Sequence, residues 1–185
     1  MEFKFIKETH RYLLDGQELP HITRITSQFL PVTFYFKEAR DRGLAVHKAI
    51  DNDDSSDLPA EWHGYFEAWK RFENEKNFET LLSERPFYHP SALYAGTIDR
   101  YGLLNDVDTL LEIKTGPDHP AYGLQTAAQK ELISVNSLFT AKRRYLLQLK
   151  DDGAYILHKH NNANDYSIFL ASLAIYRWRV RNSIE

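Results

Sequence analysis

Short alternating runs and longer stripes of period 3.6 divide the chain into a strand-like opening, a helical stretch, a strand-rich middle and a closing helix. Phe3–Ile6 and Arg11–Leu14 read as strands, and Asp15-Gly16 marks a hairpin turn because both residue types tolerate positive φ. Beyond Pro31, Thr33 can cap a helix reaching about Ile50, with Ala39, Gly43, Val46 and Ile50 along one face. The acidic run 51–57 breaks it and reads as an exposed loop. A calcium loop would need a bidentate glutamate where Trp62 stands. Pro59 suits a first helical turn, and Trp62, Tyr65, Phe66, Trp69 and Phe72 follow at helical spacing. This stripe is expected to be core, with base stacking as the sharper alternative. Five strand-like segments follow, at Phe78–Tyr88, 93–103, 109–115, 144–150 and 154–160. A helix over 122–136 interrupts them and another, Asp165–Arg181, ends the chain.

The expected architecture is therefore α/β, a central mixed sheet flanked by helices behind an N-terminal β-hairpin. A length of 185 residues fits one domain spanning 1–185: hairpin and helices over 1–77, a sheet over 78–160, and a C-terminal helix over 164–184. No cysteine is present, which excludes disulfides, a thiol nucleophile and a cysteine-ligated cluster. The net charge of −3 gives no chain-wide basic field. From residue 139 onward, eight Lys or Arg face four acids, a local surplus that suits a polyanion path or a solvated helix face equally. The uncharged apolar run 166–176 is well short of the roughly 20 residues that span a bilayer. No membrane span and no targeting segment are expected, so the default compartment is cytoplasmic.

The chemistry concentrates between Gly96 and Gly116. In a strand, Glu112 and Lys114 project from one face while Leu111 and Ile113 enter the core. A hairpin can set the carboxylate of Asp99 beside that of Glu112, and two such charges call for a cation between them. Magnesium suits one or two carboxylates with positions left for phosphate oxygens. Lys114 would then orient and stabilise a water-derived nucleophile for attack on phosphorus. The acid-x-lysine triplet by itself fits alternating charges on a wet face just as well. His47 follows Gly43 by one helical turn, and that glycine invites a packing reason such as close approach to the sheet. His47 reads either as a core histidine or as a ligand. Gln125 and Gln129 share a helix face opposite Leu124, Ala128, Leu132 and Val135, as phosphate or base contacts or as plain exposed amides.

Taken in order, His47 in RGLAVHKAI, Asp99 in YAGTIDRYG, Glu112 and Lys114 in LLEIKTG, and Gln125 in LQTAAQ resemble the motifs of the PD-(D/E)xK nucleases. The likeness is to the RecB-type exonuclease branch, and the opening THRYLLDGQELPHITRIT resembles phage-encoded members of it. That resemblance implies a restriction-endonuclease-like core and a metal-dependent DNA exonuclease of recombination, repair or phage DNA processing. It implies Asp99, Glu112 and the Ile113 carbonyl as metal ligands, His47 as ligand of a second ion, and Lys114 as the catalytic lysine. The cofactors would be two Mg2+ or Mn2+ ions. DNA would be held by Gln125, with Gln129 standing where relatives commonly carry tyrosine, and a recombination or single-stranded-DNA-binding protein could be a partner. Glu84 matches an acid sometimes present in the family, but a surface glutamate beside Arg85 explains it equally well. Lack of cysteine excludes the relatives that carry an iron–sulfur cluster. Two other readings stay open: a non-catalytic DNA-binding accessory on the same fold, and an endonuclease.

Overall fold

A computed structural model of the protein describes residues 1–31, 37–137 and 139–184. It has two sheets. The first is antiparallel in the order β1 (Phe3–Ile6), β2 (Arg11–Leu14), β3 (Gln17–Leu19). Asp15 (φ 49°) and Gly16 (φ 81°) turn the chain from β2 into β3, so the expected hairpin has a third strand. The larger sheet runs β4 (Phe78–Tyr88), β5 (Ala95–Leu104), β6 (Val107–Lys114), β7 (Arg143–Leu149), β8 (Tyr155–Lys159) in sequence order. Every pair is antiparallel except β6 with β7, which α4 (Ala121–Asn136) connects, as a parallel crossover requires. The remaining helices are α1 (Ile22–Ser27), α2 (Lys37–Asn52), α3 (His63–Lys76) and α5 (Asp165–Arg181).

Alternation along β6 sorts its side chains to two faces. Leu111 and Ile113 pack with Val46 and Ile50 of α2 and with Trp69 and Phe72 of α3. Rings as large as these contribute roughly 2–3 kcal/mol each when buried. The aromatic stripe is therefore core, and Trp69 and Phe72 are not available to a base. Gly64 lets α3 press against the β7–β8 turn, where a Cβ would fall 1.7 Å from the carbonyl oxygen of Asp151. On the other face, Leu124, Ala128 and Leu132 of α4 pack with Phe169 and Leu173 of α5 and Ile22 and Ile25 of α1.

Several expectations need correction. The proposed cap Thr33 lies outside the described residues, and the described helix begins at Lys37. Among the described residues, a Cβ at Gly43 would meet nothing within 4 Å, so close approach to the sheet does not call for this glycine. Helix α1 was not anticipated, its six residues being too few for a periodic signal. On α4 the expected buried side is observed at Leu124, Ala128 and Leu132, but Val135 is exposed and Gln125 and Gln129 are buried as well. Among the described residues, no helix is long and apolar enough to cross a membrane.

Candidate active site

Strands β5 and β6 pair from Leu104↔Val107 to Arg100↔Leu111. Two positions past Leu111, the backbone N–H of Ile113 donates to Asp99 Oδ2 (2.9 Å). The side chain of Asp99 thus ties β5 to β6 just past their last paired residues. Glu84 lies on β4 between the pairs Ser83↔Arg100 and Arg85↔Ile98, opposite Asp99, with a positive φ of 43°. The third group comes from α2. His47 Nδ1 lies 3.1 Å from Glu84 Oε1, and its Nε2 lies 3.1 Å from the Ile113 carbonyl and 3.9 Å from Asp99 Oδ2.

Both ring nitrogens of His47 face oxygen acceptors, so both must carry protons when no other cation is present. Burial opposes that charge, but Asp99 and Glu84 outweigh it and push His47 up to about 9. Arg100, almost fully buried, steadies the acids from below. Its Nη1 donates to the Asp99 carbonyl (2.7 Å), its guanidinium lies 3.9 Å from Glu84 and 3.7 Å from Asp51, and it stacks 5.5 Å over the Trp69 ring.

Glu112, on the neighbouring strand, is only 1% exposed and is bonded differently. Its Oε1 accepts from Lys114 Nζ and from Gln125 Nε2 (2.5 Å), and its Oε2 accepts from Gln129 Nε2 (2.6 Å). Gln129 Nε2 also donates to the Thr97 carbonyl (3.1 Å), whereas its buried Oε1 has no partner among the described residues. Burial alone would lower Lys114, but Glu112 and Asp99 together hold it above its ordinary range. Its ammonium lies 5.2 Å over the Tyr122 ring. The two amides expected at the DNA surface thus reach Glu112 instead.

His47, Glu84 and Asp99 each offer a ligand atom, all within 4.8 Å of one another, and form the one such group of three among the described residues. One imidazole nitrogen, two carboxylates and a nearby carbonyl make a donor set that fits a hard to borderline divalent cation. Sequence reasoning set Glu84 aside and did not register Arg100. Alternation along β4 and the arginine directly after Asp99 were the available signals, but the backbone turn at Glu84 that brings them together leaves no mark in the sequence.

No family model and no curated protein matches the chain. Solved structures do. A candidate exonuclease from Eubacterium rectale is 14% identical, with a TM-score of 0.53 over 78% of this chain and 69% of that one. LHK-Exo, an alkaline exonuclease from Laribacter hongkongensis, solved in complex with dAMP, is 16% identical, with a TM-score of 0.50 over 90% of this chain and 89% of that one. At such identities the likeness is one of fold, and the nuclease-like core matches these neighbours.

Proposed function

We propose that the protein is a divalent-metal-dependent deoxyribonuclease, and specifically an exonuclease, that hydrolyses phosphodiester bonds. The supporting observation is an acceptor-rich cluster, His47–Glu84–Asp99, set beside a half-buried lysine on the neighbouring strand. Exonucleases among the fold neighbours agree with it, and the dAMP complex of LHK-Exo supports a deoxynucleotide as the unit accommodated.

His47, Glu84, Asp99 and the Ile113 carbonyl would hold the ion, with Glu112 joining through Oε1 while Gln129 keeps Oε2. A second ion would draw on these same residues. Bound there, magnesium or manganese supplies Lewis-acid polarisation of a phosphoryl oxygen and makes a nucleophile from water near neutral pH. Lys114 rests on Glu112 Oε1 until that oxygen is engaged elsewhere, and is then available to the phosphate, where its charge offsets the negative charge that grows as the bond breaks. The Tyr122 ring limits where the ammonium can swing. Asp99 anchors β6 at the Ile113 N–H, and the carbonyl of the same residue faces His47. Gln125 and Gln129 act on DNA only through Glu112.

End-labelled linear duplex, single-stranded and sealed circular DNA, incubated with magnesium, manganese or chelator, test the reading. Labelled mononucleotides should appear from linear substrates with either metal and not with chelator, and circles should survive. Cut circles would make the protein an endonuclease; DNA bound but never cut would make it an accessory protein.

A further inference from the structure

A second group of side chains borders the ligand cluster and takes no part in the chemistry above. The N-terminal sheet brings Tyr12 to β5, where the tyrosine hydroxyl bonds Thr97 Oγ1 (2.8 Å) and His10 Nε2 (3.2 Å). Thr97 precedes Asp99 by two residues, so the two project from the same face of the strand. Tyr12 itself is buried, whereas His10 is the exposed member. The His10 ring stands nearly perpendicular to Tyr12 (centroids 5.3 Å apart, 89°) and to His21 (5.2 Å, 75°). His21 caps α1, its Nδ1 accepting from the Arg24 backbone N–H (3.3 Å), which places the ring proton on Nε2.

Both imidazoles lie in surroundings that disfavour their charged form. Burial, helped by His10 and Arg24, holds His21 down at about 4. Burial also lowers His10, with Glu84 near enough to pull it partly back. Imidazoles whose charge is disfavoured in this way offer little to a phosphate. Flat, partly exposed rings suit the π-face of a nucleobase, which stacks without regard to sequence. His10 also adopts a left-handed backbone (φ 50°, ψ 44°) that glycine or asparagine takes at less strain, so the turn at this position does not call for an imidazole.

We propose that His10 and His21, held in place by the buried Tyr12, form a base-binding subsite for the nucleotide next to the scissile phosphate, with His10 as the ring that stacks on it. The proposal rests on the nuclease reading for its substrate class. The test uses labelled single-stranded oligonucleotides carrying a natural base or an abasic residue at either of the two terminal nucleotides of each end. Binding is followed by anisotropy in calcium, and hydrolysis in magnesium, for wild type, His10→Ala and His10→Phe. On natural ends His10→Ala should raise Kd and KM about tenfold with kcat unchanged, and His10→Phe should restore both. With an abasic residue at the contacted nucleotide, all three proteins should bind alike, and manganese affinity should not differ among them. An undiminished His10→Ala effect at every abasic position, no effect on natural DNA, or a loss of manganese affinity would overturn the subsite. Should wild type bind DNA without cutting it, the nuclease reading fails while the anisotropy comparison still decides the base contact. Wild type that binds no DNA removes both.

Discussion

On one side of the site His47 lies among Glu84, Asp99 and the Ile113 carbonyl, so each of these neighbours accepts; on the other, Glu112 lies among Lys114, Gln125 and Gln129, so each of these donates. The first cluster is incomplete without added positive charge, whether a proton on His47 or a divalent ion. The second is closed, with both oxygens of Glu112 occupied by the chain itself. On the function proposed above, one half of the site would exchange its cation while the other keeps its geometry. Lys114 joins the two, since it is the charged donor that balances Glu112 and the group the proposed mechanism passes to the phosphate.

The largest expected effect comes from removing that lysine. Lys114→Ala should lower hydrolysis about 100- to 1000-fold, the range for losing one positioned electrostatic donor. Stability should fall by only about 1–3 kcal/mol, because burial and Asp99 already push the Glu112 carboxyl up and it can take a proton in place of its partner. Thermal unfolding and turnover measured on one preparation check both; a variant that cuts DNA at the wild-type rate would strip Lys114 of its role. Next comes Asp99→Asn, which can still accept from the Ile113 N–H but carries no charge. Manganese affinity should drop about 100-fold by calorimetry, and an unchanged value would mean that the acceptor-rich side does not hold the ion.

The proton on His47 offers a third measure of the same contrast, in the metal-free protein. Its folded pKa of about 9 exceeds the ordinary value of 6.5, so its charge stabilises the fold fully below pH 6.5 and that contribution fades as pH rises through 9. The amount is on the order of 2 kcal/mol once partial solvent contact is allowed for. Unfolding of wild type and His47→Asn in chelator from pH 6 to 10 isolates it, because every other titrating group is shared. Parallel curves would show that the acids do not hold this proton.

Much of this fold is written in local pattern. Strand β4 begins and ends where its alternation does, α5 coincides with its predicted span, and Tyr65, Trp69 and Phe72 of α3 are core, with Trp62 and Phe66 half-buried against them, because large rings at helical spacing need an interior. The antiparallel pairing of β5 and β6 about Asn105-Asp106 was also legible and leaves Asp99 and Glu112 just past the pair Arg100↔Leu111, but the residue that joins Asp99 and His47 in one cluster is Glu84, not Glu112. What escaped depends on irregular backbone or on long-range packing. Glu84 meets His47 through a single positive φ. Gln125 and Gln129 lie inside because α4 is covered by α1, α5 and the sheet, and periodicity cannot say how much of a helix will be covered. Tyr12 reaches Thr97 across 85 positions of sequence, a contact set by how two sheets dock.

The smallest effect probes the closed side. Gln129→Met keeps the length and volume of the side chain but removes the donor to Glu112 Oε2 and to the Thr97 carbonyl. It also removes an oxygen that is buried without a partner, and a group of that kind destabilises a fold by roughly 1–3 kcal/mol. Two lost bonds against one relieved orphan leave a net loss of about 1 kcal/mol, read from chemical denaturation. Catalysis should suffer more than stability does. With Oε2 unrestrained, Glu112 can turn about its last bond, and kcat/KM should fall about tenfold, in the range for losing an outer hold on a metal ligand. Gln125→Met should do less, because Lys114 shares Oε1 with it. If Gln129→Met instead silenced the enzyme as fully as Lys114→Ala, the amides would be as indispensable as the exchanging lysine, and the division between a side that trades its cation and a side that merely holds still would not stand.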